Sequence, residues 1–452
     1  MKQIISKTIL ILTAAAALST PSCDDFLTLN PTGSIVADNA ISDAKTARAA
    51  IIGVYSQLRA VNFGGSSIHI LGTMPGDNVR FGGTLTQYTQ LDGNAYPTNN
   101  VVTVGVYSGL YQLINRANWI IADISKVNDP QLPQSEKDQI LGEAYFARAL
   151  GYFELARGWG GVQIQTSPTT DLSAITGIKR STLAETFAQS VSDLVEAEKL
   201  LPAGSDRTRA QQAAAQALRA RVHLYARQWD DAERYATLVI DNTQYELVKP
   251  YSAFFTSPFL SRESVLEISS SANAQNTSWY GWYSNLRKGS YEYQPTEEII
   301  QLLSNPDIAG GRSELIETDE AGKAYNAQFQ ATGLDPIYLI RIAELYLIRA
   351  EARAKKSSPD LTGAIADLNA IRRRAEIADY AGAQDAASVI QAIEDERRVE
   401  FAFEPHRWYD LVRTERAGEV LGVTNRNFWI FPLPEADVLS DPDLDGQNNP
   451  GY

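Results

Sequence analysis

The chain of 452 residues is poor in the side chains from which most catalytic and metal centres are built. It contains one cysteine, two methionines and three histidines. A single cysteine excludes an internal disulfide, so the role of Cys23 lies elsewhere. His69, His223 and His406 are widely separated and share no metal-binding spacing. No zincin motif, nucleophile elbow or phosphate-cradling glycine loop occurs, and the glycines at 158, 160 and 161 lack the required spacing. The chain therefore reads as a binding protein without a cofactor rather than an enzyme. A glycosidase-type carboxylate pair is the surviving catalytic alternative, because its members need not be close in sequence. Positive charge is also in deficit: 40 Lys and Arg against 54 Asp and Glu give a formal charge of −14. That balance offers no basic stripe for phosphates and excludes nucleic acid as a partner. Beyond the first two dozen residues no apolar run is long enough to span a bilayer.

What is present begins at the N-terminus. Lys2 and Lys7 flank an apolar run at 9–18, too short for a membrane span but suited to a signal peptide. The run leads into Thr20, Pro21, Ser22 and Cys23. The expectation is a signal peptide over 1–22 and lipidation of Cys23, with secretion bearing a free thiol as the alternative. Loss of 1–22 removes Lys2 and Lys7 and no acid, so −14 becomes −16. Acyl chains on Cys23 would tether this acidic body to a membrane it does not enter.

Helical periodicity dominates the rest. In residues 338–375, Leu339, Ile342, Ala343, Tyr346, Leu347, Ala350 and Ala354 recur at steps of three and four. Ala364, Ile365, Leu368, Ile371 and Ala375 do so beyond a break at Pro359. Ala220, Ala232, Ala236 and Val239 repeat the spacing of Ala352, Ala364, Leu368 and Ile371, the small-residue rhythm of a tetratricopeptide-type helix pair. Two ordinary amphipathic hairpins are the plainer alternative. Further helices are predicted over 43–60, 104–125, 136–157, 183–201, 210–227, 229–241 and 387–403, and one short strand over 264–270. The fold class is mainly α: a tetratricopeptide-like helix-pair scaffold with long loop-rich inserts and a few short strands. Its parts are a helical region over 23–241 with a loop insert at 62–100, a loop-rich insert over 242–336, and a C-terminal helical region and tail over 337–452. The interleaved charges Glu394, Asp395, Glu396, Glu400 and Glu404 with Arg397, Arg398 and Arg407 read as salt bridging at helical spacing. Asp441, Asp443 and Asp445 imitate the opening of a calcium loop, but its closing position falls on Tyr452, so an acidic turn is the preferred reading and no metal is assigned.

Two inserts carry the functional expectation. Trp279, Tyr280, Trp282, Tyr283, Tyr291 and Tyr293 fall within fifteen residues, in a chain that is 9% aromatic overall. Flat rings can cover the C–H faces of sugars while polar neighbours bond the hydroxyls. The competing reading is that the rings pin the loop to the scaffold. Strand-like alternation would set Tyr280 with Trp282, and Trp279 with Tyr283. The second insert, 62–100, offers Asp77, Asn78, Arg80, Phe81 and Tyr88. The ligand-binding candidates are therefore Trp279, Trp282, Tyr283, Tyr291, Asp77, Asn78, Arg80, Phe81 and Tyr88, and no catalytic residue is assigned.

Five segments resemble one family. They are IEDERRVEFAFEPHRWYDLVR at 393–413, YLIRIAELYLIRAEA at 338–352, GEAYFARALGYFELARGWGG at 142–161, the tail FPLPEADVLSDPDLDGQNNPGY at 431–452, and the Cys23, Asp24, Asp25, Phe26 start. Together they look like the SusD/RagB family, over nearly the whole mature chain. The resemblance implies a lipid-anchored protein on the extracellular side of the outer membrane, with a tetratricopeptide-like scaffold. Such a protein sits as a lid on a SusC-like TonB-dependent transporter. It implies glycan binding, with a RagB-like peptide lid or a scaffold without ligand as alternatives. It also implies that residues near 62–100 and in the loop at 275–293 hold the ligand.

Overall fold

The computed structural model describes residues 41–62, 67–171, 176–256, 259–283, 285–329 and 332–452. Cys23 and the expected signal peptide lie outside the described residues.

The first helix, α1 (Ala44–Asn62), starts where Asp43 accepts hydrogen bonds from the Thr46 backbone and hydroxyl. The segment 62–100, expected to be irregular, contains α2 (Ile68–Thr73), β1 (Val79–Phe81) and α3 (Thr86–Asp92). Asn100 then caps α4 (Val101–Asp123) by accepting from the backbone of Val102 and Thr103. The next helix, α5 (Gln134–Trp159), is buried almost all round in its second half and stops at Gly160, whose φ is +82°. A capping box of Thr182 and Glu185 opens α6 (Leu183–Leu200), followed by α7 (Gln212–Tyr225) and α8 (Trp229–Ile240).

The central insert contributes β2 (Ser264–Ile268), the single turn α9 (Trp279–Trp282), β3 (Tyr293–Pro295), α10 (Glu297–Ser304), β4 (Ile316–Thr318) and β5 (Ala324–Asn326). The C-terminal part runs β6 (Ile337–Arg341), α11 (Ile342–Lys355), α12 (Leu361–Arg374), α13 (Ala386–Glu400), α14 (Arg407–Arg413), α15 (Ala417–Leu421) and α16 (Glu435–Ser440).

The long helices stack in sequence order except at one junction. α1 packs on α4, α4 on α5, α5 on α6, α6 on α7 and α7 on α8. α8 then packs directly on α11, across the whole central insert, and α11 continues onto α12 and α13. The two helix pairs with the same small-residue rhythm thus become neighbours. Ala220, Ala232, Ala236, Val239, Ala352, Ala364, Leu368 and Ile371 are all fully buried, which lets the backbones approach closely. A pair that cannot bury both faces alone is covered by the next, as in a tetratricopeptide-like scaffold.

One predicted helix start moves. Residues 338–341 are not helical: β6 pairs antiparallel with β2, matching Ser264 with Arg341 and Ile268 with Ile337. Both strands are buried, and an extended run of Ile, Tyr, Leu and Ile fits a ladder as well as a helix stripe.

The interleaved charges of 394–407 do form ion pairs, but not with one another. Glu396 meets Arg312 and Arg372, Glu400 meets Arg341 and Arg374, and Glu404 meets Arg341. Arg397 turns to Asp410, while Arg398 and Arg407 both reach Asp77. Arg341 also meets Glu263 at 2.7 Å. Most of these groups are interior, so their pairings tie separate segments in a low-dielectric setting. Burial alone would raise the Glu400 carboxyl, but Arg374 and Arg341 outweigh it and hold it below its ordinary pKa.

Candidate functional site

The two inserts converge. β1 and β3 pair antiparallel with Val79 opposite Pro295, Arg80 opposite Gln294 and Phe81 opposite Tyr293. This three-residue ribbon puts the aromatic loop beside the segment that follows α2.

An aromatic series runs inward from it. The half-buried Phe81 lies 5.2 Å from Tyr88 of α3, and Tyr88 lies 5.9 Å from Tyr293, edge to face. Tyr293 contacts Trp282 at 5.7 Å, and Trp282 contacts Phe403 at 5.3 Å and His69 at 6.3 Å. Such edge-to-face contacts rigidify the series beyond simple area burial. His69 Nε2 bonds the Phe403 carbonyl at 2.7 Å, and burial pushes its pKa down to about 4, so the ring is neutral at pH 7. Gly281 allows the α9 turn to lie on Tyr293, since a Cβ there would come within 2.4 Å of that ring.

The nine candidates separate by depth. Trp282 is only 1% exposed, so in this conformation it cannot stack on a ligand; it is the wedge that fixes the loop to the core. Tyr88, at 7% exposure, is likewise a support, and burial raises its hydroxyl pKa. Asp77 and Asn78 are also not ligand groups here. Asp77 accepts from Arg407 at 2.6 and 2.9 Å and meets Arg398 at 2.9 Å. Its burial favours the neutral acid, but the two guanidiniums prevail and lower its pKa. Asn78, fully buried, accepts from Arg398 Nε and donates to the carbonyls of Arg398 and Ala402. Both residues pin the start of β1 to the end of α13. Short polar residues beside aromatics carry no sequence signal separating such a tie from a ligand contact.

The outer group is different. Arg80 is exposed and, among the described residues, its guanidinium forms no hydrogen bond or ion pair, although its charge acts on Asp92 and Tyr291. Phe81 is half-buried. Tyr283 is half-buried, donating its hydroxyl to the Phe329 carbonyl at 2.7 Å with its ring 4.9 Å from Tyr325. Tyr291 is half-buried at φ +53°, donates to the Ala324 carbonyl at 2.9 Å, and has the Lys323 ammonium 5.0 Å from its ring. The side chain of Trp279 lies outside the described residues; its backbone opens α9.

Tyr280 and Trp282 do not share a side. The segment is a helical turn rather than a strand, so Tyr280 is 52% exposed while Trp282 is sealed. The loop closes on itself, with Ser290 N–H donating to the Tyr280 carbonyl at 2.7 Å and Tyr291 N–H to that of Tyr283 at 2.9 Å. Leu286, at 61% exposure, completes an open apolar and aromatic rim. Tyr280, Leu286 and Asp92 were absent from the ligand candidates. Asp92 ends α3 beside Arg80, and burial raises its carboxyl pKa. A helical period applied to 279–282 would have separated Tyr280 from Trp282.

No group of three or more His, Cys, Asp and Glu side chains able to hold a metal occurs among the described residues. Asp441 accepts from Asp443 N–H at 2.9 Å and from Gln163 at 2.8 Å, forming a capped turn. A cavity of about 1090 Å³ lies elsewhere, among α5 to α8, α14 and the C-terminal tail, and shares no residue with the aromatic insert.

Residues 72–224 match a family model described as "Starch-binding associating with outer membrane", and residues 277–427 match the "SusD family". The chain is 26% identical to a SusD-like protein P38 of Formosa agariphila, over 99% of both chains. It is 23% identical to a SusD-like protein of Bacteroides ovatus, over 91% of this chain and 83% of that one. A SusD superfamily protein of Bacteroides vulgatus superposes with a TM-score of 0.82 at 22% identity, over 91% of this chain and 99% of the other. A laminarin-binding SusD-like protein superposes at 0.77 and 23% identity, over 91% of this chain and all of the other. No helix among the described residues is long and apolar enough to cross a membrane.

Proposed function

The chain belongs to the SusD/RagB family, and from that premise we propose that it is a non-catalytic glycan-binding lipoprotein of the outer membrane. It binds an oligosaccharide on the rim formed by Tyr280, Phe81, Tyr283, Tyr291 and Arg80, with Trp279 at the start of the same turn. It passes the ligand to a SusC-like TonB-dependent transporter, held at the cell surface through Cys23.

The observation that carries the reading is the split character of the aromatic series. Its inner members, Trp282, Tyr293 and Tyr88, are buried in the core, whereas Phe81, Tyr283 and Tyr291 are half-buried and Tyr280 is exposed. A rigidly backed ring loses little freedom on binding, which favours affinity. Arg80 beside Phe81 offers unpaired donors to hydroxyls at the rim.

Isothermal titration against a panel of polysaccharides and peptides tests this. A glycan should bind, and Tyr280→Ala should cost about 2 kcal/mol, the scale of an aromatic hot spot. Binding to peptides and to no glycan would replace the reading with a peptide lid. Glycan binding unchanged by Tyr280→Ala and Phe81→Ala would move the site elsewhere. Hydrolysis products from the incubated glycan would make the protein an enzyme.

A further inference from the structure

The cavity among α5 to α8, α14 and the C-terminal tail is basic, although the protein is acidic overall. Seven arginines line it, with only Asp231 and Glu415 as lining carboxylates. Four of the arginines are matched by Glu154, Glu198, Asp231 and Glu351. Asp410 also meets Arg413 but is held by Arg397 as well, and Glu351 also takes Lys355. Arg227 and Arg426 share the single carboxylate of Glu415, at 2.8 and 2.9 Å. Arg180 has no carboxylate partner among the described residues. Its guanidinium instead donates to the carbonyls of Gly161 and Trp159 and to Asn449, at 2.6, 2.9 and 2.5 Å. Seven arginines against five carboxylates leave a local positive excess of two.

The lining has further unused polar capacity. His223 is 4% exposed, with Nδ1 bonded to Gln228 at 2.6 Å and Nε2 without a partner. The Tyr225 hydroxyl is buried and unpartnered as well. Buried polar atoms are normally satisfied, so such a cluster marks a place where a polar group from outside can settle. The volume of about 1090 Å³ is that of a small-molecule site. Arg227 and Arg426 have side chains 59% and 67% exposed, so their charges face incoming solute.

We propose that this cavity is a second binding site, for the carboxylate or sulfate groups of an acidic oligosaccharide, separate from the aromatic rim. Its cations attract the acidic groups against the repulsion of the protein as a whole, and planar guanidiniums bond such groups in bidentate fashion. The site does not depend on the rim being functional.

The full mature protein is titrated at low and at high salt with oligogalacturonate, sucrose octasulfate and a neutral glucan oligomer. At least one charged probe should bind, and its affinity should fall as salt rises. Arg227→Gln with Arg426→Gln should weaken that binding about tenfold or more. Glu415→Gln, which removes the competing carboxylate, should tighten it. Binding of oligogalacturonate alone identifies carboxylates as the preferred group, and of sucrose octasulfate alone, sulfates. If neither charged probe binds at low salt, or if binding ignores the double substitution and Glu415→Gln alike, the proposal is wrong. All three substituted residues are surface-exposed, so a folding defect does not confuse the outcome.

Discussion

Arg341 and Arg80 show how differently the same side chain is used in two regions of the molecule. Arg341 is 1% exposed and meets Glu263, Glu400 and Glu404, joining β6 to β2 and to the end of α13. Arg80 is exposed on the β1–β3 ribbon and, among the described residues, forms no ion pair, with Asp92 only close enough to feel its charge. The first arrangement spends its charge entirely on locking distant segments together. The second leaves hydrogen-bonding capacity for something outside the chain. The aromatic residues divide in the same way, Trp282 serving the interior and Tyr280 the surface. A rich run of one residue type therefore does not identify a site; the fold divides it between interior and surface.

Substitutions can break this contrast at either end. Arg341→Met should cost the most, about 3–5 kcal/mol or more in urea unfolding, because three buried carboxylates lose their shared cation. A loss under 1 kcal/mol would show that those acids take up protons or water at little cost. Trp282→Ala should cost about 3–5 kcal/mol through the cavity it leaves against Phe403 and Tyr293. If it instead abolished ligand binding in a protein of undiminished stability, Trp282 would be a ligand contact after all.

Acid acts on the interior through its buried histidines and carboxylates. Burial holds His69 down to about 4 in the fold against 6.5 for a free ring, so the unfolded chain binds the extra proton first. Stability from this group is complete above pH 6.5 and declines as pH falls from 6.5 to 4. His406 and His223 are lowered for the same reason, burial, and add to that decline. Glu344 and Glu351 are buried, which alone would raise them, but Arg221 and Arg413 bring each down to about 2. Their contribution is present above about pH 4.5 and fades between there and pH 2. Glu267, which burial raises to about 7, acts in the opposite sense over the same range, so the histidine contribution is read by difference: His69→Gln should make the change of unfolding free energy between pH 4 and 7 less positive than in the unsubstituted protein. An unchanged difference would exclude His69 as a contributor.

Gly281→Ala should cost about 1–3 kcal/mol by pressing a methyl group into the Tyr293 ring. Loss of glycan binding with it would tie the rim's shape to its buried support. Tyr280→Ala should have the smallest effect on stability, within about 0.5 kcal/mol, since half the ring is in solvent already. Its effect belongs to binding alone.

Much of the scaffold was legible because apolar periodicity is a local property. The predicted helix at 183–201 is found as α6, Leu183–Leu200, and that at 229–241 as α8, Trp229–Ile240. The ribbon that builds the candidate site was not legible. Three-residue strands have no measurable period, and Phe81 and Tyr293 are more than two hundred positions apart. The same distance hid the true partners of Asp77 and Asn78. Helical spacing suggested that Arg398 and Arg407 would pair within their own charged segment, but both turn to Asp77 instead.

The order of residues alone determined the helices, the small-residue faces on which they stack, and the family signature. Each depends on spacing within a dozen or so positions, where backbone geometry fixes which side chains are neighbours. Only the tertiary structure decided which rings are sealed and which face solvent, and which charges are cancelled. Burial and electrostatic pairing are set by segments brought together from far along the chain, and no local pattern encodes that meeting.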